Sequence, residues 1–458
     1  MQVLDDISRI HLSQETVLTI GAFDGVHRGH QALIGAVIDR ARASNRLSGV
    51  LTFHPHPAVV LAPERAPRYL TTPGEKAALL ERLGLDVLVL HPFNREVAST
   101  PAEAFMATIS DRLRLRELWV GPDFALGRNR EGNIDRLGEL GQKFGYELHV
   151  VQPILGEEQI ISSSRIRSLL LEGRVAEAAD LLGRYPSVSG EVVVGAQRGH
   201  ALGYPTANLQ VRPERAVPAD GIYAVLAILG GESYPAVANV GVRPTFDNGE
   251  RLVETFIFDF DQDIYGCDLV VEFVARLRDE LRFTNIGELI EQMGRDSDAA
   301  RSILAAAGYP GPASLENGAS CPYRFREVEH TADRALWVWG AELPALFVGA
   351  ARGMYSLMDE ELGDRGLVPT RWRNVALEAV DRETLLVEWL NELLYLAEAE
   401  DLLFVDFQVT SLSDSRLEAR VGGVPAGVTR GDIKAATFHG LELLRDGEGW
   451  STVITFDV

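Results

Sequence analysis

Apolar strand-like runs alternate with helical patterns over residues 17–151 of this chain. VLTIGAF, SGVLTF and ELWVG indicate buried strands, whereas HQALIGAVIDRARA and PAEAFMATISDRL show the helical period between them. Because parallel strands need a crossover between them, this alternation predicts a doubly wound α/β sheet with helices on both faces. Ligands of such sheets bind at the carboxyl ends of the strands.

The pattern changes twice further along the chain. From 187 to 277, short β-runs are separated by Gly, Pro, Asn and Asp, which predicts a compact antiparallel sheet or barrel followed by one or two helices. The segment GYPGPASLENGASCP is typical of a linker. After it, strands and helices do not strictly alternate, which indicates an α+β domain. We therefore predict domains at 1–183, 184–307 and 323–458, with a linker at 308–322.

Composition excludes several classes of protein. A net charge of −22 argues against a large non-specific nucleic-acid surface. The start of the chain lacks the features of a signal peptide, and no apolar run is long enough to span a bilayer, so we expect a cytoplasmic protein without membrane partners. Two cysteines exclude a disulfide framework. No GxxxxGK[ST] sequence occurs, which excludes a P-loop kinase.

The first strand leads directly into GAFDGVHRGHQALI, residues 21–34. Gly21 and Gly25 allow a ligand close to the backbone, and His27 and His30 flank the start of a helix. Free N–H groups and two imidazoles at that point can bind a triphosphate and stabilise charge during transfer at the α-phosphorus. Elsewhere such a pair would be ordinary surface histidines, but behind a buried strand it favours a nucleotidyltransferase.

Three more segments narrow this interpretation, namely TFHPHP, GPDFALGRNREGN and ISSSRIRSLLLEG. Together with the first motif they resemble the FAD synthetase module of the bacterial bifunctional riboflavin kinase/FMN adenylyltransferase family, over residues 1–183. The resemblance implies that ATP is bound by Gly21, Phe23, Asp24, His27, His30, Asp123, Ser163, Ser164 and Arg167, with the two histidines also catalytic. From the residues alone, the serines could simply cap a helix, and HPHP could be a metal pair or a rigid loop beside the flavin.

The second site is predicted around GEVVVGAQRGHALGYPTANL. Its glycines, Gly199 and Gly203 among them, permit tight turns whose N–H groups can face phosphates. Thr206 and Asn208 provide neutral oxygens on one side of an extended segment, which suits Mg²⁺. In isolation, the same residues would equally indicate a turn.

GIYAV, ANVGVRPTF, VETFIFDF, DIYG and RLRDELRF follow in order. The complete set resembles the riboflavin kinase module, over residues 184–307. The resemblance implies a Greek-key β-barrel with a C-terminal helix, nucleotide contacts at Gly199 and Gly203, and Mg²⁺ on Thr206 and Asn208 with ATP. It also implies that Glu254 is the general base that accepts the proton of the riboflavin 5′-hydroxyl. Whether the RLRDELRF charges shape the flavin pocket or solvate a strand end stays open.

FREVEHTADRALWVWG, DIKAATFHG and the ending VITFDV resemble archease, the activator of a tRNA-splicing RNA ligase, over residues 323–458. The resemblance implies a divalent cation, calcium, on Asp333, Asp457 and Val458, and an RNA ligase as partner. Arg334 departs from the family, which usually has a small aliphatic residue there. This part has 13 basic and 24 acidic residues, a net charge of −11 that suits a basic protein surface better than direct RNA contact.

We therefore expect an enzyme that phosphorylates riboflavin to FMN and adenylylates FMN to FAD, releasing pyrophosphate, with an archease-like domain attached. The alternative is an RNA-ligase activator whose N-terminal modules are catalytically silent. A third interpretation keeps only one of the two reactions. The complete set of catalytic residue types argues against a silent module.

Overall fold

The computed structural model describes most of the chain and divides it into two compact units. One unit comprises Met1–Leu170, Glu177–Arg184 and Glu214–Ala216, and the other contains the remaining segments up to Val458. The described residues are 1–152, 155–156, 159–193, 204–242, 251–260, 262–309, 322–328, 334–358, 367–425, 433–438, 441–445 and 449–458.

A six-stranded parallel sheet forms the centre of the first unit. Its strands, in spatial order β1-β4-β3-β2-β5-β6, are β1 (Gln2–Leu4), β2 (Thr16–Ile20), β3 (Leu47–His54), β4 (Val87–Pro92), β5 (Leu115–Val120) and β6 (Glu147–Val150). All five residues of β2 are buried, as expected for a central strand covered on both faces. A two-stranded sheet of β7 (Leu155–Gly156) and β8 (Gln159–Ile160) follows.

Helices connect these strands and close the unit. They are α1 (Arg28–Ala43), α2 (Pro57–Leu61), α3 (Pro73–Arg82), α4 (Arg95–Ser99), α5 (Ala102–Arg112), α6 (Ile134–Phe144), α7 (Ser163–Leu171) and α8 (Val175–Leu182). Local sequence sets their ends: Thr72 and Glu75 form a reciprocal capping box at the start of α3, and Gly145 ends α6 in the left-handed conformation. The predicted doubly wound fold is confirmed.

The second unit begins with a closed antiparallel barrel. Its strands, in the order β10-β13-β12-β11-β14-β9, are β9 (Ser187–Val193), β10 (Ala207–Gln210), β11 (Gly221–Leu229), β12 (Glu232–Val242), β13 (Arg251–Ile257) and β14 (Asp268–Arg278). The last strand returns beside the first strand of the β11-β12-β13 meander, which is the Greek-key arrangement. A single helix, α9 (Ile286–Ala306), packs on β11 and β12. The predicted barrel is confirmed.

The C-terminal part contains two sheets and two long helices. Strands β15 (Tyr323–Val328), β16 (Arg334–Gly340), β22 (Trp450–Asp457) and β20 (Ala435–Thr437) form one sheet in that order, and β21 (Leu444–Arg445) pairs with β22. Strands β17 (Arg371–Glu378), β19 (Arg416–Pro425) and β18 (Leu402–Leu412) form the other. Helices α10 (Leu343–Met358) and α11 (Arg382–Glu400) contribute to the same apolar core. The α+β prediction is confirmed.

The barrel contacts the C-terminal part at the start of β14. Arg352 of α10 donates a 2.7 Å hydrogen bond to Asp268, and the Cys267 sulfur lies 3.7 Å from the carbonyl oxygen of Tyr323. Cys267 is disulfide-bonded. Within the described part of the chain, none of the helices combines the length and apolarity required to cross a bilayer.

Candidate active sites

The first candidate site lies at the carboxyl edge of the parallel sheet. Strands β3, β2 and β5 are adjacent and parallel, so the segments that follow them meet at one edge. The segment after β2 is the histidine motif. The segments after β3 and β5 are the HPHP and GPDFALGRN motifs. The topology thus brings three of the four predicted motifs together.

The turn between β2 and α1 has an unusual backbone. Phe23, Gly25 and Val26 have φ values of 45°, 80° and 39°. A Cβ atom on Gly25 would lie 2.8 Å from the Leu70 side chain, so that position needs glycine on two grounds. Positive φ at two bulky residues is uncommon and is typical of functional turns.

His27 and His30 form a stacked pair at the start of α1. Their ring centroids are 3.6 Å apart, with an angle of 18° between the planes. His27 is the N-cap residue, and its Nδ1 accepts a 3.3 Å hydrogen bond from the backbone N–H of His30. The buried Nδ1 of His30 has no hydrogen-bond partner among the described residues. A buried polar atom of this kind is expected where a ligand completes the site.

Both imidazoles are neutral at pH 7. Burial lowers the pKa of His27 to about 4. Burial also lowers the pKa of His30 well below its usual value, and the neighbouring His27 and Lys76 lower it further. The pair therefore offers neutral N–H donors to a phosphate group, and positive charge must come from other side chains.

Asp24 connects the turn to its surroundings. Its carboxylate, which is 2% exposed, accepts hydrogen bonds from the backbone N–H groups of Leu70 and Thr71 at 3.0–3.1 Å. It also accepts the Thr71 hydroxyl at 3.2 Å and the Arg167 guanidinium at 2.6 Å. With four intrachain donors, Asp24 ties the turn to its neighbours, and its predicted contact with the nucleotide stays a prediction.

The start of α7 approaches the same turn. The Ser163 hydroxyl donates to the backbone carbonyl of Asp24 at 2.9 Å, and Arg167 also donates to the carbonyl of Arg68 at 2.7 Å. The Ser162 hydroxyl accepts from the N–H of Arg165, so Ser162 caps the helix, whereas Ser164 is exposed on the first turn. The structure thus joins two predicted motifs that are about 140 residues apart in sequence.

Two cationic residues of this site were missed from sequence. Lys76 is 7% exposed, and its Nζ donates to the carbonyl of Ala22 at 2.7 Å and to the Thr52 hydroxyl at 3.4 Å. Burial lowers its pKa to about 8, against the opposing effect of Asp24. Arg184 donates to the carbonyl of Gly25 at 2.8 Å. The sequence signal that could have drawn attention to Lys76 was the scarcity of lysine, since the chain has three.

The HPHP and Asp123 segments occupy the two sides of this edge. The N–H of His56 donates to the Tyr69 hydroxyl at 2.8 Å, and its Nδ1 accepts from the N–H of Ala58 at the start of α2. These bonds favour the rigid-loop interpretation over a metal pair. Asp123 is exposed three residues after β5, and its backbone carbonyl accepts from Arg130 at 3.0 Å.

The second candidate site is a row of residues across the outer face of the barrel. Asn208 of β10 lies opposite Glu254 of β13, and Glu254 lies opposite Asn239 of β12. On each side of Glu254, Val253 and Thr255 are fully buried and face the barrel interior, so the three polar residues share the opposite face. The predicted base and one predicted metal ligand are therefore neighbours.

A cavity of about 480 Å³ lies beside the same strands and is lined by residues of the opposite face, such as Thr255. Thr206 contributes to its lining, as do Val192, Pro205, Ala207, Thr255, Ile257, Phe260, Gln262, Asp263, Ile264 and Tyr265. Buried oxygens of Thr255 and Gln262 have no hydrogen-bond partner among the described residues. Its mixed apolar and polar lining is typical of a small-molecule site. The DIYG motif forms part of that lining, although no residue of it was assigned a role from sequence.

The residues present fit Mg²⁺. The amide oxygen of Asn208, a residue that is 5% exposed, is buried and has no partner among the described residues, while its Nδ2 donates to the carbonyl of Thr206 at 3.3 Å. Neutral hydroxyl and amide oxygens are suitable ligands for this ion. Gly199 and Gly203, the predicted phosphate-contacting glycines, lie outside the described residues.

The RLRDELRF charges have distinct partners. Arg278 forms a two-pronged ion pair with Asp296 of α9 at 2.6–3.1 Å, which fixes the helix to β14. Asp279 accepts from Arg276 at 2.6 Å. The Glu280 carboxylate reaches 2.5 Å from the point where a Cβ atom on Gly241 would lie, so it approaches the β12 strand beside Asn239. Of the three residues, only Glu280 is directed towards the polar row.

In the C-terminal part, Asp333 lies outside the described residues, whereas Asp457 and Val458 end the chain after β22. The Lys434 ammonium donates to the Val458 carbonyl oxygen at 2.9 Å. Arg334 binds both oxygens of Glu327 at 2.8 and 3.1 Å, so its charge is offset locally. The described residues contain no group of three or more His, Cys, Asp or Glu side chains able to hold a metal.

Three family models match the chain. FAD synthetase matches residues 9–165, riboflavin kinase matches residues 182–304, and the archease protein family matches residues 325–458.

Individual relatives agree with the first two matches. The bifunctional riboflavin kinase/FMN adenylyltransferase of Escherichia coli is 37% identical over 290 residues, which is 63% of this chain and 92% of the relative. The Bacillus subtilis enzyme of the same name is 36% identical over 299 residues and 94% of its length. A crystal structure described as a macrolide-efflux protein from Streptococcus pneumoniae has a TM-score of 0.62 and 33% identity, covering 66% of this chain and 99% of that one.

Proposed function

The chain belongs to the bifunctional riboflavin kinase/FMN adenylyltransferase family, and we propose that its two polar sites perform the two reactions separately. ATP-dependent phosphorylation of riboflavin takes place on the barrel, and adenylylation of FMN takes place at the carboxyl edge of the parallel sheet. The domain limits of this proposal are 1–183 and 184–307. The single observation that best supports it is the strand register that places Asn208 directly opposite Glu254.

In the kinase reaction, Glu254 accepts the proton of the riboflavin 5′-hydroxyl as that oxygen bonds to the γ-phosphorus of ATP, the bond to the bridging oxygen breaks and ADP leaves. Thr206 and Asn208 would hold Mg²⁺, which would neutralise phosphate charge when bound. The oxygen of Asn208, which has no partner among the residues that the structure describes, supports this role. The oxygens of Thr255 and Gln262 offer hydrogen-bond acceptors to the nucleotide in the cavity.

In the adenylyltransferase reaction, an FMN phosphate oxygen attacks the α-phosphorus of ATP and pyrophosphate leaves. His27 and His30 donate N–H groups to the phosphates from the start of α1, where the helix dipole favours negative charge. Ser163, Ser164 and Arg167 approach from the start of α7, and Gly21, Phe23 and Asp123 complete the nucleotide side. Catalysis rests on positioning and charge stabilisation, and requires no covalent enzyme intermediate.

The test is a turnover assay of purified protein with riboflavin, ATP and MgCl₂, followed by liquid chromatography. Wild type should form FMN and then FAD. Glu254→Gln should lose FMN formation at least 100-fold and still convert added FMN to FAD, whereas His30→Ala should show the reverse pattern. If either variant loses both activities while remaining folded, the assignment to separate sites is wrong.

For residues 323–458 we propose the archease role, with an RNA ligase as protein partner and a divalent cation, calcium, on Asp333, Asp457 and Val458. The family match and the net charge of −11 support a docking domain for a basic surface. Asp333→Ala should weaken calcium binding measured by calorimetry and leave both flavin reactions unchanged. Ligation assays of an RNA ligase from the same organism, run with and without this protein, test the proposed partner. We place all these reactions in the cytoplasm.

A further inference from the structure

Asn239 of β12 has a buried side-chain oxygen with no hydrogen-bond partner among the described residues. The site predicted from sequence does not include this residue. A buried amide oxygen without a partner destabilises the fold unless a ligand or water satisfies it. We therefore expect a ligand group to donate a hydrogen bond to this oxygen.

The position of Asn239 relative to Glu254 indicates which ligand group can reach its amide oxygen. Asn208 and Asn239 are the directly opposite partners of Glu254 on its two neighbouring strands. Directly opposite residues share a face of the sheet and have Cβ atoms about 5 Å apart. An amide oxygen therefore stands on each side of the proposed base, and both oxygens are buried without a described partner.

The two sides of Glu254 lead to different surroundings. On the Asn208 side lies Thr206, which also lines the cavity. On the Asn239 side, the next residue across the sheet is Ile222 of β11, and Arg278 of β14 follows it. Arg278 is itself fixed to α9. If the phosphoryl donor occupies the Asn208 side, the acceptor alcohol must reach Glu254 from the Asn239 side, because in-line transfer needs donor and acceptor on opposite sides of the moving phosphorus.

We propose that Asn239 is a positioning residue for the acceptor, whose amide oxygen accepts a hydrogen bond from the hydroxylated ribityl chain of riboflavin. The proposal rests on the proposed role of Glu254. In the step it serves, the 5′-hydroxyl oxygen bonds to the γ-phosphorus as the bond from that phosphorus to the bridging oxygen of ATP breaks. The hydroxyl proton passes to Glu254, and ADP leaves.

A polyol is the acceptor chemistry that suits this residue. Its hydroxyl groups are donors, and a site built to accept them discriminates strongly against compounds that lack them. Asn239 thus orients the chain so that only the terminal oxygen lies between Glu254 and the phosphorus. The carboxylate of Glu280, which approaches the same strand at Gly241, provides a further acceptor on this side.

The experiment compares Asn239→Leu, Asn239→Ser and Asn208→Ala in steady-state kinase assays. Asn239→Leu keeps the side-chain volume and removes the acceptor, so we expect the KM for riboflavin to rise 10- to 100-fold while the KM values for ATP and Mg²⁺ stay within twofold. Asn239→Ser keeps an acceptor oxygen and should recover part of the loss. Asn208→Ala should show the opposite split, with its effect on Mg²⁺ and ATP.

Thermal unfolding of each variant reports whether the barrel is folded, and conversion of added FMN to FAD is the control that the other reaction is unaffected. A rise in the KM for ATP or Mg²⁺ in Asn239→Leu, or an unchanged KM for riboflavin, would overturn the inference. Glu254→Gln is run in parallel: if it retains kinase activity, the proposed function of the row fails, independently of what the Asn239 variants do.

Discussion

The guanidinium of Arg167 donates a 2.6 Å hydrogen bond to the buried carboxylate of Asp24, which ties the start of α7 to the turn that presents the two histidines. Both side chains are largely removed from water, with exposed fractions of 16% and 3%. Such a pair is costly to break, because the remaining charge stays buried. The geometry of the adenylyltransferase site should therefore depend on this contact.

Replacing Arg167 by methionine should destabilise the first unit by about 3 kcal/mol, within the range for breaking a buried ion pair, and reduce FAD formation from FMN at least 100-fold. Hydrogen exchange of residues 68–71 measures the local loss, and chromatography measures the activity. Arg112→Met, an exposed arginine of the same unit with a 43% exposed side chain, is the control. An Arg167→Met protein with normal FAD formation would contradict the role of the contact.

Lys76 allows stability and activity to be separated. Its ammonium is buried at a cost, which lowers its pKa to about 8, so Lys76→Met should change the melting temperature little or raise it. The carbonyl of Ala22 loses its donor, however, and we expect FAD formation to fall at least tenfold. The matched control is Lys143→Met, because Lys143 is 58% exposed. A strong loss of stability without loss of activity would show that Lys76 is purely structural.

The pH dependence of stability should reveal the buried His27. Its pKa is about 4 in the folded protein and 6.5 in the unfolded chain. Above pH 6.5, His27 is neutral in both the folded and the unfolded state, so it does not lower the free energy of unfolding. As the pH falls from 6.5 to 4, only the unfolded state gains a proton, so the free energy of unfolding decreases by roughly 3 kcal/mol.

Hydrogen exchange of α1 at several pH values, corrected for intrinsic rates, measures this decrease. His27→Asn keeps a good N-cap residue and removes the titrating group, so its protection should depend less on pH. Equal pH dependence in both proteins would mean that other groups, such as His30, account for the effect.

Magnesium dependence should distinguish the two sites. Asn208→Ala removes one of the two proposed ligand oxygens, and we expect the Mg²⁺ concentration for half-maximal FMN formation to rise about tenfold or more. The Mg²⁺ dependence of FAD formation from FMN should not change, because that reaction uses the other unit. Assays of both reactions over a MgCl₂ series test this, and parallel shifts in the two reactions would refute it.

Much of the site composition follows from local sequence. His27 and His30 are neighbours because residues three positions apart share one face of a helix. The glycine at position 25, in the turn before them, allows the positive φ that this turn requires. Thr206 and Asn208 lie near each other for a similar reason. Periodicity likewise predicted the parallel sheet and the helices around it, since burial on two faces leaves near-continuous apolar strands.

Sequence alone did not predict which residues contact these side chains. Nothing in the spacing of Asn208, Asn239 and Glu254 indicates that they align, because strand register in the barrel is set by packing and turns distant from the row. The four-donor role of Asp24 and the burial of Lys76 also depend on segments that come together only when the sheet forms. Sequence determined which chemical groups this protein has and on which elements they lie. Tertiary structure decided which of them touch, because contacts between distant segments are fixed by the burial of the whole core.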